Sequence, residues 1–65
     1  MKITINGAPT ELKAETLSAA LEELGYGDAK VATALNEAFV PATARAETAL
    51  SPGDRVEIVA PRQGG

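Results

Sequence analysis

Of the side chains that carry out most protein chemistry, this 65-residue chain has neither cysteine nor histidine. A thiol nucleophile, a disulfide framework, thiolate or imidazole metal ligands and the commonest general base are excluded together. Carboxylates remain. Glu22 and Glu23 are adjacent, and helical neighbours point about 100° apart, so they cannot share a proton or a metal. They read as a solvated helix face. Asp54 and Glu57 flank a turn and a strand and read as surface charge. Ser18, Ser51 and the threonines lack a partnered base and are inert hydroxyls. Gly25-Tyr26-Gly27 follows a helical pattern instead of opening one, and no Lys-Ser/Thr comes after it. It reads as a turn, not a phosphate loop.

One reactive group depends on no side chain: the carboxylate expected after Pro61-Arg62-Gln63-Gly64-Gly65. Two glycines at one particular end arise by chance in about 0.5% of chains at average usage, too seldom to set aside. The expectation is a folded domain over residues 1–61 and a flexible tail over 62–65. In it Arg62 and Gln63 form an arm, Gly64 supplies clearance for threading a narrow channel, and Gly65 presents the carboxylate. Adenylation would turn that carboxylate into an acyl donor. A frayed terminus or a leftover linker is the competing reading.

The elements that must hold this end out are short. Met1, Ile3 and Ile5 alternate with Lys2 and Thr4, the period of a half-buried strand. Asn6-Gly7 supplies the positive φ angles of a tight hairpin. A weaker strand is expected around residues 10–13 with Leu12 inward, and Pro9 marks it as an edge. Thr16 is a candidate N-cap for a helix whose Leu17, Ala20, Leu21 and Leu24 form one apolar stripe, with Gly25 ending it. Val31–Leu35 is an apolar strand, followed by a turn at Asn36-Glu37 and a short strand at Phe39-Val40 that Pro41 stops. Residues 42–50 are Ala-rich and compatible with a helical turn. Ser51-Pro52-Gly53-Asp54 is a strong turn. Residues 55–60 form the last strand, with Val56 and Ile58 on one face and Arg55, Glu57 and Val59 on the other. The order strand, strand, helix, strand, strand, strand predicts an α+β domain: a mixed sheet of four to five strands with one main helix on one face.

One ambiguity bears on partners. In the strand 31–35, Val31, Thr33 and Leu35 share one face while Ala32 and Ala34 share the other, and either set could lie under the helix. With the alanines inside, Val31, Leu35 and Val59 would form an exposed apolar patch, a candidate protein-binding surface. The alternative is scattered surface aliphatics, which are ordinary.

The formal net charge of −3, with Lys2, Lys13, Lys30, Arg45, Arg55 and Arg62 spread singly, argues against a nucleic-acid partner. A basic protein surface is the more natural match. No stretch approaches the length of a membrane span and MKITING is no signal peptide, so a cytoplasmic protein is expected.

Ala34-Leu35-Asn36-Glu37, then Val40-Pro41, then Pro52-Gly53-Asp54-Arg55-Val56-Glu57-Ile58-Val59, then Gly64-Gly65 resemble the sulfur carrier proteins of thiamin biosynthesis (ThiS type). The likeness spans essentially the whole chain, including its length, its element order and the opening MKITING. It implies a β-grasp, ubiquitin-like fold and a protein that is a co-substrate, not an enzyme. An adenylating (E1-like) partner would use MgATP to convert the Gly65 carboxylate to an acyl-adenylate, with no cofactor bound permanently to the carrier. Sulfur from a cysteine desulfurase or rhodanese-like donor would then give a thiocarboxylate, and thiazole synthase would take the sulfur. The family often carries a basic residue directly after Val-Pro. This chain has Ala42 there and reaches Arg45 three residues later, a departure that bears on partner contacts in this loop. Similar readings are a carrier of another sulfur pathway, such as a molybdopterin-synthase small subunit, and a TGS-like binding or regulatory module in which the tail is irrelevant.

Overall fold

Asn6 and Gly7 adopt φ values of 51° and 84°, the paired positive angles of a type I′ turn, whose twist matches that of the strands it joins. A computed structural model describes residues 1–27 and 29–60. In it the turn links strand β1 (Lys2–Ile5) to β2 (Ala8–Glu11). β2 begins two residues earlier than the pattern predicts, because so tight a turn lets Ala8 pair with Ile5 at once. Pro9 then lies opposite Thr4, a position whose missing N–H faces away from the sheet. Past the strand, Leu12 donates its N–H to the Met1 carbonyl at 2.9 Å.

Helix α1 (Leu17–Glu23) starts where Thr16 accepts the Ala19 N–H on its side chain. It ends in a Schellman motif: Tyr26 N–H reaches the Leu21 carbonyl and Gly25 N–H the Glu22 carbonyl, with Gly25 at φ 91°. Leu17, Ala20 and Leu21 are buried and Leu24 half-buried, the expected stripe. Glu22 faces water, but Glu23 does not behave as a merely solvated carboxylate. It folds back and accepts the N–H groups of Lys13 and Ala14 at 2.9–3.1 Å, closing the connection between β2 and the helix.

Strand β3 (Ala32–Leu35) turns through Asn36 and Glu37, both at positive φ, into β4 (Ala38–Val40). Residues Ala42–Glu47 then form a 3-10 helix. The following stretch is tied to the start of α1, where Leu17 N–H donates to the Thr48 carbonyl and Leu50 N–H to the Glu15 carbonyl. The turn at 51–54 places Gly53 at φ 89° and feeds strand β5 (Arg55–Val59), one residue shorter than the pattern predicts.

The sheet order is β2-β1-β5-β3-β4. β5 lies in the middle, parallel to β1 and antiparallel to β3. The core gathers Ile3, Leu12, Leu17, Ala20, Leu21, Val40, Leu50, Val56 and Ile58 between the sheet and the helical segments. Leu50 is the core member that the sequence pattern does not single out. Its neighbours in the Ala-rich segment carry no periodicity.

Candidate functional site

The proposed reactive end, Arg62, Gln63, Gly64 and Gly65, lies outside the described residues, as does Pro61. The structure does describe the strand that leads to it. β5 has Val56 and Ile58 buried and Arg55, Glu57 and Val59 exposed, as alternation predicts. It is gripped on both edges. Thr4 and Ile5 of β1 pair with Arg55 and Val56, and Ala32, Thr33, Ala34 and Leu35 of β3 pair with Val59, Ile58, Glu57 and Val56.

That second register decides which face of β3 is buried. Residues directly opposite on neighbouring strands point to the same side. Thr33 and Leu35 therefore share the helix side with Ile58 and Val56, while Ala32 and Ala34 share the open side with Val59 and Glu57. Thr33 is buried, and Val31 and Leu35 pack half-buried against the core. The expected patch of Val31, Leu35 and Val59 is thus corrected, because Val59 is on the opposite face from the other two. Its company on the open face is Ala32, Ala34 and, through the Ala34–Phe39 pair of β3 and β4, Phe39. Phe39 and Val59 are the two large hydrophobic residues left exposed among the described residues, at 70% and 61%. Phe39 is the element of this surface that sequence reasoning missed. Its alternation with the buried Val40 holds the signal, once β4 is paired with β3.

Thr33 is a buried hydroxyl with a function in packing. It donates to the Val40 carbonyl at 2.8 Å and accepts from Arg45 Nε at 3.0 Å. Arg45 Nη2 also donates to the Val31 carbonyl at 2.6 Å. The arginine that follows Val40-Pro41 at a distance is therefore turned onto β3, binding the 3-10 helix to the sheet. Among the described residues there is no pocket and no cluster of three or more metal-binding side chains, and no helix is long and apolar enough to cross a membrane.

A five-stranded mixed sheet with two parallel strands at its centre and one main helix across a face is the β-grasp fold of ubiquitin-like proteins. Comparison with known proteins narrows the class. The model of the ThiS family matches residues 3–65. The chain is 40% identical over 63 residues to the sulfur carrier protein ThiS of Thermus thermophilus, covering 97% of this chain and 98% of that protein. It is 42% identical over 66 residues to a thiazole synthase of Paramagnetospirillum magneticum, and it spans 20% of that protein's length. The crystal structure of a thiamine biosynthesis protein (ThiS) from Geobacter metallireducens superposes with a TM-score of 0.83 at 30% identity, with full coverage of both chains. The chain belongs to the ThiS family. It is accordingly a sulfur carrier of thiamin biosynthesis, acted on by enzymes instead of acting as one.

Proposed function

We propose that this carrier holds its sulfur on the Gly65 carbonyl carbon, at the end of an arm formed by Arg62, Gln63 and Gly64. In the first step the carboxylate attacks MgATP bound by an adenylating partner, forming an acyl-adenylate and releasing pyrophosphate. The outer sulfur of a persulfide carried by a cysteine desulfurase or a rhodanese-like protein then displaces AMP to give an acyl disulfide. A second thiol of a partner protein cleaves its S–S bond, leaving the thiocarboxylate and a disulfide on the partner. Thiazole synthase passes that sulfur to its substrate, and an oxygen from the substrate or from water takes its place on Gly65, returning the carboxylate. A carboxylate is a poor acyl donor until it is adenylated, and a thiocarboxylate stores nucleophilic sulfur without a protein thiol. The lack of cysteine in the chain is then no handicap. Glycine at the last two positions suits a narrow channel, where a Cβ would obstruct the approach of nucleotide and backbone.

The observation that carries this reading is the family match, which runs through the diglycine to Gly65. A thiazole synthase as recipient draws support from the relative of that name, in which a segment similar to this whole chain makes up a fifth of the length. The exposed surface around Val59 and Phe39 runs from β5, the strand that feeds the arm, across β3 to β4, so a partner that accepts the arm meets that surface too. It is the proposed docking face. The setting is the cytoplasm, where ATP and the sulfur donors are found.

The test is removal of Gly65. With the cognate adenylating enzyme and MgATP, the truncated chain should support no ATP–pyrophosphate exchange. The full-length chain, isolated from cells making thiamin, should contain a fraction with one oxygen replaced by sulfur at Gly65 by intact-mass analysis. Equal exchange activity with and without Gly65 ends this reading.

A further inference from the structure

Asn6 stands where β1 ends and the first turn begins. Its backbone N–H still donates to the Val56 carbonyl at 2.9 Å, as a parallel ladder with β5 requires. At φ 51° the chain then turns out of the sheet, and the Asn6 carbonyl goes with it. The side chain takes over the pairing. Asn6 Oδ1 accepts the Ile58 N–H at 2.8 Å, and Asn6 Nδ2 donates to the Ile58 carbonyl at 3.0 Å. A primary amide has the same donor and acceptor as a peptide group. The carboxamide therefore stands in for the next peptide of β1 and carries the ladder on to Ile58.

Asn36 uses a related device at the other end and on the other edge of β5, with its Nδ2 donating to Asp54 Oδ1 and only its Oδ1 pairing with the strand. Its N–H donates to the Arg55 carbonyl at 2.7 Å, while its Oδ1 accepts the Arg55 N–H at 2.9 Å. Both asparagines occupy the first position of a turn that demands positive φ, which Asn tolerates better than other residues with a Cβ. The two clamps differ in what lies beyond them. Asn36 holds the start of β5. Asn6 holds Ile58, after which Val59, Ala60 and Pro61 lead to Arg62, the first residue of the proposed arm.

We propose that Asn6 is a positioning residue for sulfur loading: its carboxamide fixes the end of β5, and so the point from which the chain beyond Ala60 departs toward the partner's active site. The inference rests on the carrier reading above. A partner that engages the open sheet face and the Gly65 carboxylate at once needs a fixed distance and direction between them. If Ile58 is unpaired on the β1 side, that relation must be restored at each binding event. The chemistry, once the carboxylate is seated, is unchanged.

Asn6→Asp keeps the turn and the acceptor but sets a carboxylate oxygen against the Ile58 carbonyl. Asn6→Gly keeps the turn and removes both bonds. Asn36→Gly removes the equivalent clamp far from the exit and serves as the control. Each full-length variant is assayed for ATP–pyrophosphate exchange with the cognate adenylating enzyme, and for amide hydrogen exchange in the free protein. Both Asn6 variants should raise the KM for the carrier about fivefold to tenfold, the size of one net hydrogen bond, with kcat unchanged. They should also speed exchange at Ile58, whose N–H Asn6 accepts, beyond any global change. Asn36→Gly should lower global stability while leaving KM unchanged. An unaltered KM in the Asn6 variants, or an equal rise in Asn36→Gly, overturns the proposal. If the unaltered chain is not adenylated at all, the carrier chemistry at Gly65 is what fails. The hydrogen-exchange result then decides by itself whether Asn6 fixes the strand end, and unchanged exchange at Ile58 overturns it.

Discussion

Arg45 turns its guanidinium inward, donating to Thr33 Oγ1 and to the Val31 carbonyl. Thr33 is itself buried, and its hydroxyl donates a hydrogen bond to the Val40 carbonyl. A single side chain thus joins the 3-10 helix, β3 and β4. Charged donors to buried acceptors are worth more than neutral ones, so Arg45→Ala should destabilise the fold by about 1–3 kcal/mol. Arg45→Lys should not restore it, since one ammonium cannot reproduce two N–H groups aimed from a planar fork. Urea midpoints of the three proteins test this; a stable Arg45→Ala protein would show the network to be incidental. The sequence marks Arg45 only as a basic residue displaced from the usual family position. Its true partners are a hydroxyl twelve residues back and a carbonyl fourteen back, contacts that no local pattern encodes.

Among the elements, the hairpin β3–β4 contains a local conflict. Glu37 adopts φ 74° at the second position of its turn, where a side chain is strained and glycine is preferred. An ion pair to Arg55 at 3.3 Å accompanies it, but both side chains are exposed and such pairs contribute little. Glu37→Gly should therefore raise stability by about 0.5–1 kcal/mol, the relief of the left-handed strain exceeding the lost pair and the added chain entropy. A lower thermal midpoint for the variant would refute that order of effects. Most of the elements themselves are legible in the residue order. Asn6-Gly7, the Thr16 cap, the 17-20-21-24 stripe and Ser51-Pro52-Gly53-Asp54 each have a local cause, and each appears where that cause predicts. β2 shifts by two residues because its start is set by the turn and not by the hydrophobic pattern.

At the scale of the molecule, the sheet has one face covered by the helical segments and one open. On the open face Val59 and Phe39 stand clear of the core with Ala32 and Ala34 between them. Their exposure means that polar replacement costs the fold little. Val59→Ser and Phe39→Ser should leave the unfolding midpoint nearly unchanged while weakening binding to the adenylating enzyme by about tenfold or more, as for apolar anchors at other interfaces. Calorimetry on the two variants separates the outcomes, and undiminished affinity would remove this face from the docking surface.

What the sequence determined by itself is the chemistry that is possible and the local framework. Residue types exclude thiol and imidazole catalysis, alternation and capping set the strands and the helix, and a diglycine marks the proposed site. The tertiary structure decided which faces look outward. Val31-Ala32-Thr33-Ala34-Leu35 carries small or apolar residues on both sides, so its pattern has no preferred orientation. Only its pairing with β5 puts Thr33 opposite Ile58 and commits Val31 and Leu35 to the core side. The same pairing gives Asn6 and Asn36 their second task, since an amide can complete a ladder only after distant strands have been brought alongside it.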